Sequence, residues 1–181
     1  MLNADLAIAQ TKKWILEVVV GCNFCPFAAA AILKNKIHYA VVDSDDTETI
    51  LEELVNQCVF LDENDTVETS LLLLPNHLQD FEAYLELVDI AESVLEAAGY
   101  EGEYQIASFH PSYRFAESSE RDAANYTNRS PYPMIHLLRE ASIEQAVATY
   151  PNVENVPTRN IAFATEKGLA FMQQLRQSCF K

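Results

Sequence analysis

Residues 69–76 read Thr-Ser-Leu-Leu-Leu-Leu-Pro-Asn, a short and nearly continuous apolar run that Pro75 and Asn76 close. A run of this kind, which does not alternate with polar residues, is typical of a strand buried on both faces. Such a strand needs packed layers on both sides. Residues 69–74 therefore predict a sheet with helices packed on it.

Two more strand candidates flank this run in the sequence. Residues 37–42 precede it and residues 104–109 follow it. The intervening segments, residues 47–60 and 78–98, have helical spacing of their apolar residues. Because a helix separates each strand from the next, we expect the three strands to run parallel and to be joined by right-handed crossovers.

The remaining segments are further helices and a fourth strand. Residues 4–20 have helical spacing that stops at Gly21, and residues 26–34 predict a short helix with Cys25 as its N-cap, because Pro26 suits a first helical turn. The other candidates are a strand at residues 134–138 and helices at residues 142–149 and from 157 onward. The predicted fold class is α/β: one domain, residues 1–181, with a small mixed, mostly parallel four-stranded sheet and helices packed on it.

Composition narrows the classes of partner. The chain has 181 residues, of which 49% are hydrophobic and 22% charged, as in ordinary globular proteins. Its net charge is −15. Nucleic-acid binding takes most of its affinity from Lys and Arg neutralising phosphates, so neither nucleic acid nor an anionic membrane is expected as a partner.

The first twenty residues carry Asp5, Lys12 and Lys13 and have no unbroken apolar run. We therefore expect neither a signal peptide nor a transmembrane helix, and predict a cytoplasmic protein. In that compartment the four cysteines, at positions 22, 25, 58 and 179, are expected to be thiols.

The segment from about residue 110 to 133 has no lasting helical or strand period. Connections longer than about 12–15 residues are usually functional or disordered. This one carries Tyr113, Phe115, Tyr126 and Tyr132, whereas disordered segments are poor in aromatic residues. We therefore predict an ordered, functional loop.

A family resemblance rests on motifs spread over the chain. They are Phe109-His110-Pro111-x-Tyr113-x-Phe115, Asn125-x-x-Asn128-Arg129-Ser130-Pro131-Tyr132-Pro133-x-x-His136-Leu137-Leu138-Arg139-Glu140, Gly21-x-Asn23-x-Cys25-Pro26-Phe27-Ala28 and Pro157-x-Arg159-Asn160-Ile161. Together they resemble the bacterial family catalogued as domain of unknown function 1415. The resemblance implies little about activity, because that family's biochemical role is unassigned. It also implies that the position of Cys22 usually holds an aliphatic residue, which speaks against a paired thiol at Cys22 and Cys25.

The predicted site follows from the rule that ligands of open α/β sheets bind at the carboxyl ends of parallel strands. His110 follows such an end, and an antiparallel fourth strand would return Tyr132 to the same edge. A helix that starts at Cys25 and runs antiparallel to the next strand would bring its thiol there too. The positive helix N-terminus would then favour a thiolate.

Eight residues are the candidates for this site. Cys25 and His110 are predicted to be catalytic, and the predicted substrate-binding residues are Arg129, Asn128, Asn125, Arg114, Tyr132 and His136. Five of them also have structural interpretations. Cys25 fits a buried small hydrophobe, His136 a hydrogen-bonded core histidine, and Arg129 an arginine that binds loop carbonyls. His110 fits a ring that only ties down the loop, and Arg114 a solvated loop charge.

The leading hypothesis is an enzyme acting on a small anionic metabolite, a carboxylate or a phosphate, with the arginine and asparagines holding the anion and His110 acting as acid or base near Cys25. One alternative is a thiol redox or zinc-binding protein that uses Cys22 and Cys25. Another is a non-catalytic binding or assembly module. No cofactor, resident metal or oligomeric state is predicted.

Overall fold

The computed structural model describes residues 2–181, which form one four-stranded sheet with helices on both faces. The helices are α1 (Ala4–Trp14), α2 (Ala28–Leu33), α3 (Thr47–Glu63), α4 (Phe81–Ala97), α5 (Glu140–Thr149), α6 (Val156–Lys167) and α7 (Leu169–Ser178). A π-helix, Ile15–Val20, continues α1, and short 3₁₀ helices cover Ala123–Thr127 and Val153–Asn155. The strands are β1 (Ile37–Val41), β2 (Thr69–Leu73), β3 (Tyr104–Phe109) and β4 (Met134–Arg139).

The strand order is β1-β2-β4-β3, which corrects one part of the predicted fold. The α/β class and the mixed sheet are confirmed, but the sheet is not mostly parallel. Only β1 and β2 form a parallel pair, and β4 lies antiparallel between β2 and β3. The helix between β2 and β3 brings them into the same direction without making them neighbours, so the central position is left for the last strand.

The α3 and α4 face of the sheet holds a compact apolar core. Asp46 and Asp80 cap the two helices, each accepting a backbone N–H of the first turn. Leu72 and Leu74 point to this side, together with Ile135 of β4. They pack on inward positions of the helices, Ile50, Leu54, Cys58, Leu61, Leu87, Ala91 and Leu95.

The opposite face is covered by α1, the π-helix, α6 and α7. Trp14, Val18 and Val19 pack there on Leu71 and Leu73. Ala164 and Met172 bring α6 and α7 into the same cluster. This second layer covers the sheet less completely, and the remaining space forms the cavity described below.

Two local predictions differ in detail. The helix predicted at residues 4–20 is present, but its second half is a π-helix, with the Gly21 N–H bonded to the Leu16 carbonyl at 3.0 Å. The helix predicted from residue 26 begins only at Ala28, with Phe27 as its N-cap. Cys25 therefore lies outside the helix and is not its cap.

The long segment between β3 and β4 is ordered, and its second half is largely buried. Its 3₁₀ helix starts at Asp122, whose carboxylate accepts the Ala124 N–H at 2.9 Å. Residues 123–127 and 129–135 are buried. Within residues 2–181 no helix combines the length and the apolar character needed to cross a bilayer.

Candidate functional site: an apolar cavity on one sheet face

A cavity of about 370 Å³ lies between the sheet and its less completely covered side. Cavities in the range of about 300–1,000 Å³ with mostly apolar linings are typical of small-molecule sites. Its floor is formed by β2, β3 and β4, and its walls by the π-helix, α2 and α5. The lining is mostly apolar. Its polar and charged residues are Glu68, Thr69, Gln105, His136, Arg139 and Ser142.

The floor consists of two cross-strand rows of side chains. In the first row, Leu71 pairs with His136 and His136 with Ala107. In the second, Thr69 pairs with Leu138 and Leu138 with Gln105. Thr69 and Gln105 lie near the amino-terminal ends of β2 and β3, and Leu71 and Ala107 lie in the middle of these strands. The cavity is therefore not centred at the carboxyl edge where the ligand was expected.

The walls leave space because their side chains are small or held back. Ala28 and Ala31 of α2 and Ala146 of α5 line the cavity. No residue of α5 is buried, so this helix packs loosely on the sheet. The ring of Phe27, at the start of α2, contacts that of Tyr150, at the end of α5, edge to face with centroids 5.7 Å apart. This aromatic contact joins the two walls.

His136 is the most polar group of the floor, and its ionisation state follows from its surroundings. Burial lowers its pKa to about 4, so the imidazole is neutral at pH 7. Its Nε2 lies 2.6 Å from the Thr69 hydroxyl, which is also bonded to the Leu137 carbonyl. A carbonyl only accepts, so the hydroxyl hydrogen goes to Leu137 and the hydroxyl oxygen accepts from Nε2–H. The Nδ1 atom therefore carries the lone pair.

Trp14 lines the cavity next to the floor. Its ring packs edge to face on Phe109, with centroids 5.4 Å apart, and only 2% of the residue is exposed. The indole N–H is buried and has no hydrogen-bond partner among residues 2–181. An unsatisfied buried donor costs about 1–3 kcal/mol. The Trp14 ring lines the cavity, whereas its N–H is buried away from the cavity surface.

The charged residues of the lining are already paired. Glu68 accepts from Lys36. Arg139 donates to the Leu61, Asn64 and Val67 carbonyls and to the Tyr104 hydroxyl, and so caps the carboxyl end of α3. The Leu61 and Asn64 carbonyls carry the negative end of the α3 dipole, which a guanidinium stabilises. The cavity therefore presents no uncompensated positive charge among the described residues.

Cys25 and His136 are the two predicted site residues that line this cavity. Cys25 is half-buried and precedes α2, whose first amide, that of Ala28, bonds to its carbonyl at 3.3 Å. Because Cys25 does not cap the helix, and because α2 has only six residues, the argument for a dipole-stabilised thiolate does not apply.

His110 lies elsewhere, between the start of α4 and the long loop. Its Nε2 donates to the Leu78 carbonyl at 3.0 Å and its Nδ1 accepts the Ser112 N–H at 3.0 Å. The ring packs against Phe81 and Tyr84 of α4, and burial is the main cause that lowers its pKa. Cys25 instead packs in the core on the opposite side of the sheet. The expected meeting of Cys25 and His110 is therefore wrong.

Arg129 and Asn125 hold the long loop together. Arg129 donates from Nε to the Tyr113 carbonyl and from Nη2 to the Glu120 carbonyl, both at 2.9 Å, and its guanidinium lies 4.7 Å from the Tyr126 ring centre. The Asn125 amide oxygen accepts from the Phe115 N–H and the Ser118 hydroxyl, and its nitrogen donates to the Ser119 carbonyl. Asn125 is fully buried. These contacts match the structural interpretation of Arg129.

The other three candidates also lie away from the cavity. Asn128 ends the 3₁₀ helix, with its N–H bonded to the Asn125 carbonyl at 3.1 Å. Arg114 is exposed and lies 3.7 Å from Glu82. Tyr132 donates its hydroxyl to Gln10 and packs edge to face on Phe180.

Cys22 and Cys25 are free thiols, and burial raises the pKa of Cys22. A raised pKa disfavours the thiolate that disulfide exchange requires. Across residues 2–181 no three His, Cys, Asp or Glu side chains come together in a metal-binding arrangement. The zinc alternative therefore lacks a ligand set in the described part of the chain.

Sequence reasoning missed Trp14 and Thr69 as parts of a site. One signal was available, since His136 is a polar residue between apolar neighbours of its strand and Thr69 and Ser70 are polar residues at the start of β2. Which of these side chains share a face depends on the pairing of β2 with β4, and that pairing is not encoded in either segment alone.

Fold and cavity together define an α/β protein with a ligand-sized apolar cavity on one face of a mixed sheet. The chain belongs to the family described as "Protein of unknown function (DUF1415)", whose sequence profile matches residues 6–174. This match confirms the family that the motifs predicted. No curated protein and no solved structure matches the chain.

Proposed function

We propose that this protein binds a small, largely apolar molecule in the cavity on the sheet face. The observation that carries the proposal is the cavity itself, about 370 Å³ with a neutral imidazole in its floor. Burial of apolar ligand surface contributes roughly 25 cal/mol per Å², so such a site can hold a small apolar molecule without any charge.

The single tryptophan of the chain, Trp14, lines the cavity and reports its occupancy. Titration with propylbenzene is expected to change Trp14 fluorescence saturably. In the variant Ala146→Phe an aromatic ring fills the space beside α5, and we expect binding to weaken by about tenfold or more, which corresponds to 1.4 kcal/mol or more.

The matched control is Ala148→Phe. Ala148 is exposed on the same helix and does not line the cavity, so this variant should bind as the wild type does. If propylbenzene causes no saturable change, or binds Ala146→Phe as tightly as the wild type, the cavity is not a binding site.

A second candidate function is an enzyme in which Cys25 acts as nucleophile with His136, rather than His110, as its base. The observation in its favour is that a thiol and a neutral imidazole line the same cavity. Alkylation of Cys25 by iodoacetamide should then slow in His136→Leu and in the presence of a cavity ligand. An alkylation rate that neither change affects would exclude this role.

The prediction of an anionic substrate has less support. Arg129 is buried with two of its N–H groups bonded to loop carbonyls, and Asn125 is fully buried with its amide nitrogen bonded to Ser119. The cytoplasmic location stays a prediction from the sequence.

A further inference from the structure

We infer that the cavity selects a neutral apolar molecule that carries a hydroxyl group, which donates a hydrogen bond to Nδ1 of His136. The inference rests on the proposed function and names the class of ligand for the same cavity. An alcohol or a phenol is expected to bind more tightly than a hydrocarbon of similar shape and more tightly than a carboxylate.

The hydrogen bonds at His136 leave one ring nitrogen free to accept. The Thr69 hydroxyl gives its hydrogen to Leu137 and accepts from Nε2, so Nδ1 is an acceptor. Among residues 2–181 no group donates to Nδ1, although the imidazole lines the cavity. An acceptor in this position needs a ligand that donates, which a hydrocarbon cannot do.

Aromatic side chains contribute to the cavity wall beside the imidazole. The rings of Trp14 and Phe109 both line the cavity and pack edge to face. The indole N–H of Trp14 is buried without a partner in the described residues, so it is not offered to a ligand at the cavity surface. These rings suit an apolar ligand body that carries the donor for Nδ1.

The charged residues of the lining select against an anionic ligand. The one cationic side chain that lines the described cavity is Arg139, and its guanidinium is bonded to three carbonyls and to the Tyr104 hydroxyl. Glu68, also in the lining, is acidic. Transfer of a carboxylate from water to a site without a compensating cation is strongly unfavourable. The cavity therefore disfavours anions.

The test compares three probes of nearly equal shape, namely propylbenzene, 4-propylphenol and 4-propylbenzoate, at pH 7.5 by isothermal titration calorimetry. We expect 4-propylphenol to bind about tenfold more tightly than propylbenzene, from one added hydrogen bond, and 4-propylbenzoate to bind more weakly than both.

His136→Leu should remove the preference for the phenol while propylbenzene still binds. The matched control is His38→Leu, which removes a histidine that packs on Phe60, away from the cavity. This control should keep the full preference.

A spectroscopic readout avoids variants altogether. In the ¹⁵N spectrum of wild-type protein, the Nδ1 resonance of His136 should be that of an unprotonated nitrogen. It should shift on addition of 4-propylphenol and much less on addition of propylbenzene. A protonated Nδ1, or equal shifts with both probes, would overturn the inference.

The outcomes separate the two proposals. If propylbenzene and 4-propylphenol bind equally well, or if 4-propylbenzoate binds best, hydroxyl recognition is wrong while the cavity remains a binding site. If none of the three probes binds, the proposed function is wrong, and the inference of hydroxyl recognition is wrong with it.

Discussion

At His136, burial and one hydrogen bond decide what the residue can do. The sequence placed a histidine in an apolar strand and suggested either a substrate contact or a core histidine. The structure combines the two settings, because the ring is tied to Thr69 at Nε2 and still lines a cavity. Arg129 instead has a structural position, since its Nε and Nη2 donate to carbonyls of its own loop.

The lowered pKa of His136 predicts a pH-dependent stability. An unfolded histidine titrates near pH 6.5, whereas the folded residue titrates near 4. Between these values the unfolded chain takes up a proton that the folded chain does not. The stabilisation that comes from His136 is thus fully present above pH 6.5. The free energy of unfolding falls by up to about 3 kcal/mol as the pH decreases toward 4.

Urea denaturation of wild type and His136→Leu at pH 7.5 and 4.5 measures this effect. The other histidines with lowered pKa, His38 and His110, are common to both proteins and cancel in the comparison. We expect the wild type to lose more stability on acidification than the variant. Parallel losses would show that His136 is not held neutral by burial.

At the level of elements, the π-helix is what the sequence pattern did not predict. Residues 4–20 show helical periodicity, but periodicity does not distinguish a 3.6-residue turn from the wider π turn. The wide turn places Ile15 and Val19 in the cavity wall. The π-helix ends at Gly21, where a side chain does not fit because a Cβ would overlap the Glu17 carbonyl oxygen.

Gly21→Ala is therefore expected to destabilise the protein. In an ordinary helix interior this substitution gains about 1 kcal/mol, since alanine is the better helix former. Here the overlap with the Glu17 carbonyl forces the backbone to shift, and overpacking of this kind typically costs about 1–3 kcal/mol. Urea denaturation gives the sign, and propylbenzene titration tests whether the wall has moved.

Leu16→Ala, in the same π-helix but exposed, is the matched control and should change stability only slightly. A stabilising effect of Gly21→Ala would mean that the segment is an ordinary α-helix in solution.

Across the whole molecule, charge is distributed unevenly. The chain has 27 acidic and 12 basic residues, and none of the basic ones lies on α3 or α4. Along α4 the exposed residues Glu82, Glu86, Asp89, Glu92 and Glu96 follow one another at spacings of three or four. Like charges at such spacings destabilise a helix by about 0.2–0.5 kcal/mol per pair.

Salt is therefore expected to stabilise the protein. Raising NaCl from 10 to 150 mM shortens the Debye length to about 8 Å and screens the repulsion along α4. We expect the melting temperature to rise by roughly 2–4 °C, which corresponds to about 1 kcal/mol. Scanning calorimetry at the two salt concentrations measures this shift.

The double variant Glu86→Gln, Glu92→Gln removes charges from the middle of this row and should reduce the salt-induced rise. Equal shifts in both proteins would mean that the repulsion along α4 contributes nothing to the salt effect.

The sequence by itself determined the family, the α/β class and the order of helices and strands, with most bounds within a few residues. It could do so because apolar periodicity, helix caps and turn residues act within a few positions along the chain. Asp46, Asp80 and the apolar run of β2 are examples of such local signals.

Only the tertiary structure decided that β4 inserts between β2 and β3, and that Cys25 lines the same cavity as His136 rather than a site with His110. Strand order and the sharing of a cavity are set by which distant surfaces pack best, and no local segment carries that information. The cavity is therefore a property of the packed layers, because it exists only where α2, α5 and the π-helix leave one face of the sheet incompletely covered.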